Sequence, residues 1–235
     1  MRILLQRVMR SKFLNNFVLY RRLYLKAKLF KDRKKRKTFH QYGLETLEMF
    51  DKCMREYGFK YTLAFGTLLG AVRDHDFIKH DNDIDIAMWI DDYDKKIISC
   101  LENYGFKLIH SFSVENDKFG KEDTFEYKCV QLDIFYFYNT DKIYSCYFAS
   151  QPNCFSRAES IKRYGGLLPV RMYLPLSKDR KEITFKGIKV FVPFNAHEVL
   201  QYRYGENYMT PIANWKPHTQ YVKEWPEKIG EYIEY

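Results

Sequence analysis

Phe65-Gly66-Thr67-Leu68-Leu69-Gly70-Ala71-Val72-Arg73, followed a few residues later by Asp81-Asn82-Asp83-Ile84-Asp85-Ile86, decides how this chain is read. The apolar run Tyr61 to Phe65 predicts a short strand, Gly66-Thr67 opens a helix over 68–73, and Ile84 to Trp89 predicts a second strand. Residues two apart in a strand project to one face, so Asp83 and Asp85 point the same way while Ile84 and Ile86 enter the core. Neighbouring carboxylates repel and lose solvation. A divalent cation relieves both penalties, and an all-oxygen ligand set suits Mg²⁺ or Mn²⁺. D-x-D alone is more often an acidic surface turn. Gly66 allows the backbone to approach a ligand closely, and the free amides of a helix start favour a phosphate, with the Thr67 hydroxyl as a further donor. Alone, a Gly-Thr turn is an ordinary helix cap.

Further along, Asp133 interrupts the apolar run Leu132-Asp133-Ile134-Phe135. An Asp there is costly to bury unless it is paired, protonated or metal-bound, and a neighbouring strand could deliver it to the same cation. A salt-bridged core Asp is an equal competitor. Arg73 reads either as a phosphate ligand or as a helix-end cation, Asp81 as an acid supporting the site or the cap of a turn, and His80 as structural or exposed.

The surrounding sequence predicts a helix over 38–57, where Leu44, Leu47, Met49, Phe50 and Met54 recur with helical spacing before Gly58. A helix follows over 93–104, started by Asp91-Asp92 and ended by Gly105, then a strand over 106–111 and two strand-like runs within 125–138. Residues 139–180 show only aromatic strand fragments and a turn at Gly165-Gly166. A hairpin over 182–192 turns at Lys186-Gly187, and Asn195 stands where it could cap a helix over 196–204 that Gly205 closes. This order predicts an α+β fold, a mixed sheet flanked by helices.

Charge is divided unevenly. Residues 1–37 carry 14 Lys or Arg against Asp32 alone, leaving 25 basic and 29 acidic residues in the remainder. The division therefore falls between a basic arm, 1–37, and a catalytic body, 38–235. The arm contains amphipathic helical patterning over 3–30 and a charged run over 31–37 that reads as a solvated linker, standing apart from the catalytic argument. Its pattern suits peripheral attachment to an anionic membrane surface, at about 1 kcal/mol per basic residue. A body of net negative charge is a poor nucleic-acid binder. The five cysteines have no zinc spacing and read as reduced, which points to the cytoplasm. No run reaches the roughly 18–20 apolar residues of a membrane span, and no signal peptide is expected.

Taken together, Gly66 to Arg73, Phe77-Ile78 and Asp81 to Ile86 resemble the signature of the LicD family, within the nucleotidyltransferase superfamily. That family includes bacterial phosphocholine transferases and is related to the fukutin proteins. Phe185 to Pro193 and Tyr204-Gly205-Glu206-Asn207-Tyr208 resemble its ending, so the likeness covers residues 40–212 in pieces. Lys79 and His80 replace the family's Pro-Trp pair and Asn82 its middle acid, while the D-x-D pair is intact. There is no cysteine cluster matching the zinc site of larger fukutin-related proteins.

The resemblance implies a nucleotidyltransferase-like sheet and transfer of a substituted phosphate, typically phosphocholine from CDP-choline, onto a sugar hydroxyl. The acceptor would be a cell-surface glycan such as lipopolysaccharide or capsule, free or lipid-linked. Asp83 and Asp85 would bind the metal, Asp133 would be a third ligand or the base, and Gly66, Thr67 and Arg73 would hold donor phosphates. CDP-ribitol or CDP-glycerol as donor, or true nucleotidyl transfer, are the alternatives within this chemistry. A non-catalytic, membrane-attached binding protein is the alternative outside it. A choline donor calls for an aromatic cage, for which Trp89, Tyr136 and Trp215 are candidates. The expected location is cytoplasmic, with the arm on the inner face of the membrane.

Overall fold

The computed structural model describes residues 18–148, 157–212, 222–225 and 227–235. The N-terminal residues 1–17, Cys154 and Trp215 lie outside them, and so does the first part of the expected amphipathic arm. The chain is a mixed α+β structure. Its first element, helix α1 (Val18–Tyr57), runs without a break through residues 31–37. The expected linker is therefore helical. Lys and Arg are good helix formers, and the stretch from 18 to 42 holds no Gly or Pro, so charge alone could not end the helix. Gly58, at φ 74°, closes it as predicted.

Strand β1 (Thr62–Leu63) leads into the short helix α2 (Phe65–Leu69), which passes into a π-helical turn over Gly70–Asp74. The sequence predicts one regular helix over 68–73. Instead Gly70 packs so closely that a Cβ there would lie 2.5 Å from the Asp76 carbonyl oxygen, and His75, at φ 52°, ends the turn. Strand β2 (Asp83–Trp89) follows, then a 3₁₀ turn over Ile90–Asp92 and helix α3 (Lys96–Asn103), shorter than expected. The remaining elements are β3 (Lys107–Val114), β4 (Gly120–Tyr127), β5 (Val130–Asn139), β6 (Ile143–Phe148), α4 (Arg157–Tyr164) and β7 (Pro169–Tyr173). The β8 (Arg180–Phe185) and β9 (Ile188–Pro193) hairpin turns at Lys186-Gly187 as predicted. Helix α5 (Ala196–Tyr204), β10 (Val222–Glu224) and β11 (Gly230–Glu234) complete the chain. Asn195 does stand at the N-cap position of α5, but its amide bonds the Ser177 N–H, the Pro175 carbonyl and Glu198 rather than capping the helix.

Nine strands form one sheet, in the order β10-β7-β6-β5-β4-β3-β11, with β2 along β5 and β1 beyond β2. The parallel β2–β5 pair sets Asp85 opposite Asp133 and Asp83 opposite Gln131. The other edge of β5 is shared, by β4 alongside Val130–Phe135 and by β6 alongside Phe137–Asn139. Strand alternation explains the faces. Ile84, Ile86, Leu132, Ile134 and Tyr136 are fully buried on one side, while Asp83, Asp85, Gln131 and Asp133 are half-buried on the other. Leu47, Phe50, Cys53 and Met54 of α1 and Ile97 and Leu101 of α3 join this core. Each such fully buried Leu or Phe stabilises the fold by roughly 1.5–3 kcal/mol.

Candidate active site

Asp85 is held from two directions by the start of α2. Its carboxylate Oδ2 accepts the Gly66 N–H at 3.1 Å, and its own N–H donates to Thr67 Oγ1 at 2.9 Å. The second bond follows from the shortness of β1. That strand ends at Leu63, so the backbone of β2 at Asp85 meets Ala64, whose N–H donates to the Asp85 carbonyl, and then the helix rather than more strand. Thr67, expected among the groups that hold donor phosphates, is 1% exposed, and its hydroxyl accepts the Asp85 N–H. Phe65, opening α2, sits at φ 40°, a region costly for a bulky residue by about 1–3 kcal/mol. Its ring packs edge-on against Phe135 of β5, with centroids 4.8 Å apart.

The carboxylates crowd one another. A Cβ placed on Gly66 would lie 3.1 Å from Asp81 Oδ2 and 3.5 Å from Asp85 Oδ2, so these two acids converge on the glycine. Burial pushes the Asp85 carboxyl well above the usual range, and the charges of Asp83, Asp133 and Asp81 add to it against the Gly66 N–H. Burial raises Asp83 also, opposed by the Lys35 ammonium. Asp133 rises to about 6, again through burial, although the Thr124 hydroxyl donates to its Oδ1 at 2.5 Å and pulls the other way. Asp81 rises to about 7 through burial and the Asp83 charge, and its buried Oδ2 has no hydrogen-bond partner. Glu122, two residues before Thr124 on the same face of β4, is pushed well above its ordinary value by burial and by Asp133.

Among the described residues no three His, Cys, Asp or Glu side chains are drawn together in a metal-holding arrangement. The geometry explains why. Asp85 leans on Gly66, Asp133 on Thr124 and Asp83 towards Lys35, each carboxylate satisfied separately. The donor set still fits a hard divalent ion. It is all oxygen, it stands on one face of adjacent strands, and the orphaned buried Asp81 oxygen lies close to Asp85 at Gly66.

Beside the acids lies a cavity of 530 Å³, lined by Gly66, Arg73, His80, Asp81, Tyr204, Tyr208 and neighbouring residues. Arg73 reaches it from the π-helical turn, its guanidinium paired in both directions with Asp74 at 2.7 and 2.8 Å. Tyr204 comes from the end of α5, which packs on α2, and its phenol is raised by burial and by the nearby Asp85 charge. The expected pieces thus separate. Gly66 and Arg73 border the cavity, Asp83, Asp85 and Asp133 lie on the strand face, and Thr67 supports from behind.

Four contributors had no sequence signal of their own. Thr124 and Glu122 are found only through the β4–β5 register. Tyr204 was quoted as part of a resemblance without a role. Lys35 belongs to the run read as a linker, yet it donates to Gln131 Oε1 at 2.6 Å and stands 3.9 Å from Asp83 Oδ2. One residue of the basic segment therefore stands at the acidic strand face. The aromatic cage fares differently: Tyr136 faces the opposite side of β5 and bonds Asp123, and Trp89 is buried two pleats beyond Asp85.

A family model described as LicD/FKTN/FKRP, nucleotidyltransferase domain, matches residues 58–195. Ribitol-5-phosphate transferase FKTN from Homo sapiens and from Macaca fascicularis are each 28% identical over 210 residues, covering 83% of this chain and 41% of theirs. The Mus musculus protein of the same name matches to the same extent. The chain thus spans about two fifths of the length of these curated relatives.

Proposed function

The chain belongs to the LicD/FKTN/FKRP family, and from that premise we propose that it transfers a polyol phosphate, ribitol or glycerol phosphate, from a CDP-activated donor to a glycan hydroxyl. The observation that carries this reading is the placing of Asp83, Asp85 and Asp133 on one sheet face, with Asp81 close to Asp85 at Gly66 and lining the cavity alongside. The polyol donor is preferred to CDP-choline for two reasons. The relatives are ribitol-5-phosphate transferases, and of the aromatics proposed for a choline cage Tyr136 faces away and Trp89 is buried. Arg73, His80, Thr210 and the phenols of Tyr204 and Tyr208 around the cavity supply hydrogen-bonding groups of the kind a polyol requires.

Asp83, Asp85 and Asp133 would hold Mg²⁺ or Mn²⁺, which when bound neutralises charge on the donor's phosphates and on the leaving CMP. The chain's own residues do the positioning. Gly66 presents a backbone N–H and no side chain, so Asp85 is fixed without obstructing the approach to the cavity. Arg73 stands at the cavity to meet a phosphate, with Asp74 fixing its fork. Asp133 has Thr124 on one oxygen, leaving the other for the metal or for the acceptor's hydroxyl proton. Its raised pKa suits the second task at neutral pH.

The nucleotidyltransferase-like reading of the fold rests on the same arrangement, a short helix following β1 and the D-x-D strand paired in parallel with a second acidic strand. Peripheral attachment through the basic N-terminal segment is supported by exposed Leu29 and Phe30 among its lysines and arginines. No helix among the described residues is long and apolar enough to cross a membrane.

The test is incubation of the protein with CDP-ribitol, CDP-glycerol and CDP-choline, each with Mg²⁺ and a candidate glycan, following CMP release and the mass of the product. Transfer from a polyol donor supports the reading. Transfer from CDP-choline alone would restore the choline reading, and pyrophosphate release from a nucleoside triphosphate would replace both.

A further inference from the structure

The helical phase of α1 that buries Phe39 also carries a cation inward. Phe39 is 1% exposed and packs edge-on against Phe77, with centroids 4.8 Å apart, and a Cβ on Gly43 one turn later would meet both rings. His40 donates across to the Lys79 carbonyl at 3.0 Å, tying the helix to the loop that precedes Asp81. Lys35 lies one turn before Phe39 on the same stripe, and this places its ammonium on Gln131 and beside Asp83. Lys31, Arg33, Lys34 and Lys37 of the same run are exposed; Lys35 and Arg36 are half-buried, but Arg36 turns back to the Asp32 carbonyl of its own helix while Lys35 reaches the sheet.

Holding a lysine still costs side-chain entropy, and a part-exposed ion pair at the outer limit of contact returns little of it. The 2.6 Å bond to Gln131 fixes the ammonium but uses one of its three N–H donors. The other donors remain at the lip of the acidic face. A cation there opposes the binding of a metal by Asp83, so it does not serve the metal.

We propose that Lys35 is a donor-binding residue that pairs with the diphosphate of the nucleotide donor. Its ammonium stands 3.9 Å from Asp83, and a metal held by Asp83 would leave that ammonium to the donor. This rests on the nucleotide-donor reading above. It makes the N-terminal helix, which lies outside the matched residues 58–195, part of the catalytic unit.

The test uses the full chain as wild type, Lys35→Gln, Lys35→Arg and Gln131→Leu. Binding of Mn²⁺ alone is followed by electron paramagnetic resonance, and binding of CDP at saturating Mn²⁺ by calorimetry. Losing the Lys35 charge should weaken CDP about tenfold, while Mn²⁺ affinity stays equal or rises, and Lys35→Arg should stay within about threefold of wild type. Gln131→Leu keeps the charge but frees it, and should weaken CDP several-fold with Mn²⁺ unchanged. A Lys35 that only ties helix to sheet would lower the melting temperature and weaken both ligands together, and that result overturns the proposal. So does unchanged CDP affinity in Lys35→Gln. A wild-type protein that binds Mn²⁺ but not CDP would instead sink the nucleotide-donor reading itself.

Discussion

Replacing Thr67 by Val tests whether Asp85 is positioned by the helix that follows β1. Valine matches threonine in shape, and the site is 1% exposed, so the main effect of the change is loss of the hydroxyl. What it leaves is the Asp85 N–H, which donates to Thr67 Oγ1 at 2.9 Å because β1 ends at Leu63. A buried donor stripped of its partner costs about 1–3 kcal/mol. For a domain of this size that is a fall in melting temperature of about 2–12 °C. Asp85 would also lose its fixed backbone, so Mn²⁺ affinity and transfer should fall together. Thr67→Ser keeps the acceptor and gives up one methyl, about 0.8 kcal/mol, and should restore metal binding. Urea unfolding and Mn²⁺ titration of the three proteins measure both effects. A Thr67→Val protein within about 0.5 kcal/mol of wild type, with unchanged Mn²⁺ affinity, would refute the reasoning.

Asp85→Asn and Asp133→Asn should abolish transfer while raising the melting temperature of the metal-free protein, because each removes a charge that its neighbours repel; a fall in melting temperature would show the carboxylates to be structural. Asp133 and Asp81 have folded-state values near 6 and 7 against an ordinary 3.8, so the folded chain binds more protons than the unfolded one across that interval. Metal-free stability should therefore decrease as pH climbs from about 4 to about 7, and added Mg²⁺ should flatten or reverse the trend; melting curves in EDTA and in Mg²⁺ decide this. Gly70→Ala places a Cβ 2.5 Å from the Asp76 carbonyl oxygen, which should cost about 2 kcal/mol or more and loosen the turn carrying Arg73; a neutral effect in urea unfolding would contradict the packing described.

Much of the site could be read from the chain because its signals are local. D-x-D in a strand places two acids on one face by alternation alone, and Ile84 and Ile86 bury accordingly. Asp133 was visible as an acid in an apolar run, but its pairing with Asp85 is a matter of register, which the sequence of a single strand does not encode. Lys35 was hidden by its neighbours. Six cations in seven residues look solvated, and only the phase set by Phe39 distinguishes the one that reaches the sheet. The π-helical turn at Gly70 was missed because the residue types over 68–73 do not mark it; the close approach of the Asp76 backbone shows only in the fold. Within 139–180, β6 and β7 derive their places from pairing with each other, and their aromatic fragments carry little periodicity.

The central claim is tested most directly by one comparison: CMP release from CDP-ribitol and CDP-glycerol with a glycan acceptor, by wild type in Mg²⁺, by wild type in EDTA and by Asp85→Asn. The account predicts acceptor-dependent CMP release with transfer of the polyol phosphate in the first case and none in the other two. Release that persists in EDTA or in Asp85→Asn, or no release from either polyol donor in Mg²⁺, would contradict it.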